Sequence, residues 1–155
     1  MHSSITLDSL RFDELTIDLL YEILRLRAEV FIVEQTCYYQ DVDGIDRDPE
    51  ARHVLFRDND ILVGYARVLP PGSSYKEYSS IGRILTAESH RRQKLGHEVV
   101  REGIRLCQSL WPEVSIKISA QSRLEKFYNQ HGFYVAGEGY LEDGIPHIPM
   151  VHSYE

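Results

Sequence analysis

The most chemically loaded stretch of the chain is HRRQKLGHEVV, His90 to Val100, where Arg91, Arg92, Gln93 and Lys94 stand directly ahead of Leu95, Gly96 and His97. An apolar stripe at helical spacing (Gly96, Val99, Val100, Gly103, Cys107, Leu110) begins there and stops before Pro112, so the cluster sits at the mouth of a helix. The first turn of a helix has unpaired N–H groups and a partial positive charge, which together hold phosphate. Helix starts favour acidic residues for the same reason. This one is basic, which points to an anionic ligand rather than a solvated helix end. Gly96 would let that ligand or a neighbouring strand come close.

Common alternatives fail on spacing. The P-loop pattern G-x-x-x-x-G-K-[ST] does not occur. GEGYLE, from Gly137, begins like a dinucleotide fingerprint but has Glu142 where the third glycine belongs. HEVVR, from His97, puts Arg101 where a zincin helix needs its second histidine. DVDGIDRDPEAR, from Asp41, has its glycine too early for a calcium loop and Arg52 in place of the bidentate glutamate. DVDG also opens phosphatases with an aspartyl nucleophile, but there it ends a buried apolar strand, and here TCYYQ precedes it. The cysteines, Cys37 and Cys107, have no metal spacing and fit a reducing compartment. No metal is expected.

The chain has 155 residues, 43% of them hydrophobic, which suits one globular domain over residues 1–155. A net charge of −7 disfavours nucleic acid as a partner, since that needs basic surface. No apolar run is long enough to span a membrane, and MHSSITLDSL lacks the basic start and apolar core of a signal peptide. A cytoplasmic location is the expectation. The acidic run Asp41–Glu50 reads either as solvated surface or as a field steering a cationic amine.

Patterning supplies the elements that must position the basic cluster. A strand is expected at Ile5–Leu10. A helix over 16–33 should bury Ile17, Leu20, Leu24, Ala28 and Phe31. His53–Arg57 and Ile61–Leu69 read as a hairpin turning at Asp58–Asp60, and YSSIGRILT as a strand with Gly82 at a bulge or close approach. After the Gly96 helix come the strand VSIKISA, a short helix capped by Ser122 with Glu125 as a capping box, and Gly132 at its C-terminal end. Strands at Phe133–Ala136 and in IPHIPMVHSY close the chain. The fold class is α/β (α+β): a mixed, mostly antiparallel sheet with helices on both faces and a central β-α-β crossover that contains the basic cluster.

Two stretches resemble motifs of the GNAT superfamily of N-acetyltransferases. ILTAESHRRQKLGHEVV is similar to its motif A, Q/R-x-x-G-x-G/A, with Arg91 at the first position, Gly96 as second glycine and Lys94 replacing the first. AQSRLEKFYNQHGF resembles motif B through Phe127, Tyr128, Gly132 and Phe133. LRAEVFIVEQTCYYQDVDGID, RHVLF, IGRILT and EDGIPHIPM extend the resemblance, to ElaA-like acetyltransferases, over nearly the whole chain.

The resemblance implies acetyl-CoA as co-substrate, lying where the strand at Ile81–Thr86 parts from the one at Ser115–Ala120. Pantetheine would pair with Ile84, Leu85 and Thr86, and the pyrophosphate would meet the N–H groups of Arg91, Arg92, Gln93, Lys94, Leu95, Gly96 and His97. An amine would attack the thioester directly. Tyr128 takes the superfamily's general-acid position, with packing beside Phe127 as its other reading. His147 between Pro146 and Pro149 is the leading base, because imidazole removes protons near neutral pH. Glu34 and His53 are rival bases and candidate acceptor-site residues. Arg83 alternates with Gly82 and Ile84 and is a candidate to face the cleft. The acceptor is expected to be a small, cationic primary amine. A protein or peptide acceptor, and a non-catalytic coenzyme A-binding module, are the alternatives. Late strands often dimerise in such proteins, and IPHIPMV is where a homodimer contact would fall.

Overall fold

The structure, a computed structural model, describes residues 4–153. Tyr154, where the sequence reading ends its last strand, lies outside the described residues. Strands β1 (Ile5–Leu10), β2 (Arg52–Asp58), β3 (Ile61–Leu69) and β4 (Ser80–Thr86) form an antiparallel four-stranded sheet in that order. The β2–β3 turn has positive φ at Asn59 and Asp60, the conformation of a two-residue hairpin turn. Strands β5 (Ile116–Gln121), β6 (Tyr134–Val135), β7 (Tyr140–Glu142) and β8 (Ile145–His152) form a second antiparallel sheet. The two sheets meet at one parallel bridge, Ser79 to Ile116, where Ser79 N–H donates to Ser115 O (3.1 Å) and Lys117 N–H to Ser79 O (2.9 Å). Beyond it β4 and β5 part.

Helix α1 (Ile17–Arg27), capped by Thr16 Oγ1 on Leu19 N–H, runs into a π-helical turn, Ala28–Glu34. Helix α2 (Leu95–Leu110) makes the β4–β5 crossover, and α3 (Glu125–Asn129) follows β5. Both faces of β3 are covered. On one, Gly64 lies so close to α2 that an added Cβ would stand 3.1 Å from Val99 and 3.3 Å from Leu95. On the other, Tyr65 and Arg67 meet Arg27 of α1 and the aspartates of the 41–46 loop. The α2 stripe packs as its spacing predicts, with Val99, Val100, Gly103 and Cys107 fully buried. Gly132, at φ 87°, ends α3 in a Schellman motif: Phe133 N–H reaches Tyr128 O and Gly132 N–H reaches Asn129 O.

Three local expectations are corrected. Helix α1 buries Ile23, Leu26 and Arg27, continued by Val30 and Phe31, while Ile17 is 88% exposed and Leu20, Leu24 and Ala28 are only partly covered. The face is rotated because Arg27 occupies an interior position, which a hydrophobic pattern cannot register. Ser122 does not cap α3: the chain enters through a 3₁₀ turn, Ser122–Leu124, with no side-chain cap. Gly82 is not a close approach, since an added Cβ would meet nothing within 4 Å. The bulge falls beside it, where Arg83 and Ile84 lie between the pairs Arg67–Gly82 and Tyr65–Leu85. Strand β8 is interior, paired with β5 on one side and with β6 and β7 on the other, so IPHIPMV is not a free edge.

Candidate active site

The gap between β4 and β5 holds two clefts that share Gln35, Ile84, Leu124 and Tyr128 as common walls. One, of about 590 Å³, is lined also by Glu34, Leu85, Thr86, Arg91, Lys94, Gly96, His97, Arg123 and Phe127. The sequence-predicted cofactor residues therefore converge, with the exception of Arg92, Gln93 and Leu95. The first two are exposed and the third is 2% exposed in the core, which leaves only the backbone of Leu95 to serve a ligand. Lys94 adopts φ 61°, ψ 18° and starts α2 without a side-chain cap. It thus keeps the left-handed turn a glycine would take, at a strain of about 1 kcal/mol, and leaves the first-turn N–H groups open. Gly96 is not hemmed in, since an added Cβ would stand 3.7 Å from Phe127. His97 lies against Phe127 with ring centroids 4.7 Å apart and the rings tilted by 38°, and its Nδ1 is 2.9 Å from His131 Nε2.

The second cleft, of about 420 Å³, is lined by Tyr75, Gly82, Arg83, Ser119, Glu142, Asp143 and His147, with Asp43 and Arg67 at its rear. His147 is 8% exposed. Its Nδ1–H donates to Ile145 O at 2.7 Å, and its Nε2 lies 3.4 Å from Glu142 Oε2. Because a carbonyl only accepts, the proton sits on Nδ1 and Nε2 is the atom able to take another. Glu142 also accepts from Ser119 Oγ at 3.3 Å. Tyr128 is 6% exposed, lines both clefts and has no hydrogen-bond partner for its hydroxyl among the described residues. Burial raises that hydroxyl to about 12.

Glu34 lies on the first cleft and pairs with Arg91 at 2.5 Å, while Arg91 Nε donates to Thr86 O. His53 reaches neither cleft. It is 1% exposed, its Nε2–H donates to Asp46 O at 3.0 Å, and its Nδ1 accepts from Tyr65 hydroxyl at 2.7 Å. Burial holds its pKa down and keeps the ring neutral.

The acidic loop divides: Glu50 stays on the exposed surface and Asp48 is half-buried, while the other three carboxylates are engaged by the protein. Asp41, Asp43 and Asp46 turn inward onto three arginines. Arg27, fully buried, donates to Asp41 Oδ2 (3.0 Å) and Asp46 Oδ1 (2.7 Å). Arg67 forks onto Asp43 (2.9 and 3.0 Å) and reaches Asp46 (3.1 Å). Arg83 meets Asp41 and Asp43, beneath the Tyr39 ring. Sequence reasoning missed this network, along with Gln35, Arg123 and the Glu142–Asp143 wall. The one available signal was the presence of Arg27 and Arg67 inside otherwise apolar periods. No group of three or more metal-binding side chains occurs among the described residues, and no helix there is long and apolar enough to cross a membrane.

A splayed β4–β5 pair, an uncapped crossover helix and a bulged strand between two joined clefts define an acyl-CoA N-acyltransferase architecture. The chain belongs to the GNAT acetyltransferase family, in its ElaA-like branch: the family model for the acetyltransferase (GNAT) domain matches residues 20–154. It is 41% identical to Protein ElaA of Escherichia coli K12 over 93% of this chain and 94% of that one. It superposes on the crystal structure of Escherichia coli ElaA with a TM-score of 0.90 at 40% identity, covering 96% of this chain and 99% of that one. An acyl-CoA N-acyltransferase from Pseudomonas aeruginosa gives 0.92 at 36% identity, covering 97% and 100%.

Proposed function

We propose that this chain transfers an acetyl group from acetyl-CoA to the primary amine of a small molecule, by direct attack with both substrates bound. The observation that carries this reading is the pair of clefts meeting at Tyr128 and Ile84, one lined by cations and a helix start, the other by titratable side chains. In this reading the pyrophosphate rests on the N–H groups from Arg91 to His97, with Lys94 and Arg91 supplying charge. The pantetheine runs along Ile84, Leu85 and Thr86, whose outer edge has no strand partner among the described residues. A backbone N–H at Leu85 or Thr86 polarises the thioester carbonyl.

Attack requires a neutral amine, and the departing thiolate is helped by a proton. His147 Nε2 takes the amine proton, and Glu142 stabilises the resulting imidazolium. The new C–N bond forms as the C–S bond breaks, Tyr128 gives its proton to the sulfur, and the second proton leaving the nitrogen returns the tyrosinate to its neutral form. Glu142 and Asp143 suit an acceptor arriving as an ammonium ion, a role the sequence had suggested for the 41–50 loop. The cleft volume of about 420 Å³ favours a small acceptor over a folded protein. The test is thiol release from acetyl-CoA across a panel of primary amines. Amine-dependent release supports the reading. A protein that binds CoA yet releases no thiol with any amine overturns it.

A further inference from the structure

The acceptor cleft has one feature that amine recognition does not use. Arg83 lines it with its backbone at φ 52°, a left-handed conformation that a side-chain-bearing residue rarely takes inside a sheet. The bulge between Gly82 and Leu85 imposes that conformation. Strain of this kind persists where the surroundings hold it, commonly at ligand sites.

The guanidinium is only partly engaged. Its Nη2 donates to Asp41 O (3.1 Å) and Asp43 Oδ2 (3.2 Å). Its Nε lies 2.8 Å from Asp41 Oδ1 but makes no aligned hydrogen bond, and Nη1 has no protein partner among the described residues. Behind it Arg67, 4% exposed and lining the same cleft, also carries a buried Nε without a partner. A guanidinium has five donors in a planar fork; the Nε atoms of both arginines are buried, and the Nη1 group of Arg83 is the part left for an acceptor that the protein does not supply. Other lining residues of the same cleft carry the reverse sign. Glu142 lies beside His147, and the Asp143 carboxylate makes no ion pair or hydrogen bond among the described residues.

We infer that the acceptor is an amino-acid-like molecule whose carboxylate is held by Arg83, with Arg67 behind it, while its amine lies at the Glu142–His147 wall. This deepens the acetyltransferase reading and rests on the second cleft being the acceptor site. A carboxylate fits better than a phosphate dianion, because Asp41 and Asp43 already share the arginines and would repel a second full charge.

The test compares each common amino acid with the amine left when its carboxylate is removed. Two readouts are taken: thiol release from acetyl-CoA, and calorimetric binding in the presence of CoA. The expected result is at least one amino acid favoured over its decarboxylated partner by about tenfold or more, the worth of a charge-assisted hydrogen bond. Arg83→Gln brings that ratio close to one, chiefly through KM, and Arg83→Lys restores part of it. Calorimetry of CoA on each variant verifies that it is folded. Amines accepted without any carboxylate preference overturn the inference and leave the acetyltransferase reading standing. Carboxylate-dependent binding without thiol release supports the inference and overturns that reading. Neither binding nor release with any member overturns the inference.

Discussion

Tyr128 and His147 divide the proposed proton chemistry between them, and their surroundings separate the roles. Tyr128 is shared by the two clefts, and burial raises its hydroxyl to about 12. It stays protonated through the neutral range, and any alkaline loss of activity due to it lies near that value. Tyr128→Phe is expected to lower kcat by about a hundredfold, the usual worth of one general acid, with CoA affinity unchanged by calorimetry. His147 lines only the second cleft, and its Ile145 bond fixes which nitrogen is free. Protonating a base removes it, so activity falls as pH drops. His147→Gln is expected to abolish that acid limb in a kcat/KM profile while leaving CoA binding intact. A limb that survives unchanged assigns the base elsewhere.

At the scale of elements, the β4–α2 junction and the 41–46 loop do different work. Lys94 holds the turn into α2 in a left-handed conformation. Lys94→Gly removes strain of about 1 kcal/mol, offset in part by a freer unfolded chain. Urea unfolding should therefore move by less than about 1 kcal/mol, while CoA binds more weakly for want of one cation. The loop instead holds the buried arginines. Asp46→Asn leaves Arg27, which is 0% exposed, short of a charged partner. Leaving a buried charge without any partner costs about 3–5 kcal/mol; with Asp41 still on Arg27 the expected loss is smaller than that, and urea denaturation measures it. How much of these elements the sequence revealed depended on how local the cause was. The α2 stripe, the Asn59–Asp60 turn and the Gly132 stop are set by neighbouring residues and were legible. The face of α1 was not, because Arg27 is made tolerable inside by Asp41 and Asp46, which lie 14 and 19 residues away in sequence. Nor was the Arg83 bulge, which depends on β3 pairing.

For the whole molecule, the ionic network ties α1, the loop, β3 and β4 together, so its protonation state governs the first sheet. Burial alone would raise Asp43 and Asp46. The hydrogen bonds and charges of Arg67 on Asp43, and of Arg27 and Arg67 on Asp46, outweigh it and hold both carboxyls below the ordinary 3.8. Depressed carboxyls stabilise the fold above that ordinary value, and the contribution is lost as pH falls through their lowered ones. Thermal unfolding should thus be insensitive to these groups above about pH 4 and fall steeply below it, with Asp46→Asn flattening the drop. The lining of the first cleft was largely legible because motif A is contiguous in sequence. In the second cleft His147 and Arg83 were named from sequence, but Glu142 and Asp143 were not, since the cleft is assembled only when the second sheet folds against the first.

The most direct test of this account is calorimetry of CoA on the wild type and on Gly96→Trp. Gly96 lines the cationic cleft, Phe127 standing 3.7 Å from an added Cβ, so a large side chain there would project into the space proposed for the pyrophosphate. Micromolar binding by the wild type is expected, and none by a Gly96→Trp protein of unchanged melting temperature. A folded wild type that binds no CoA, or a variant that binds it equally well, would contradict it.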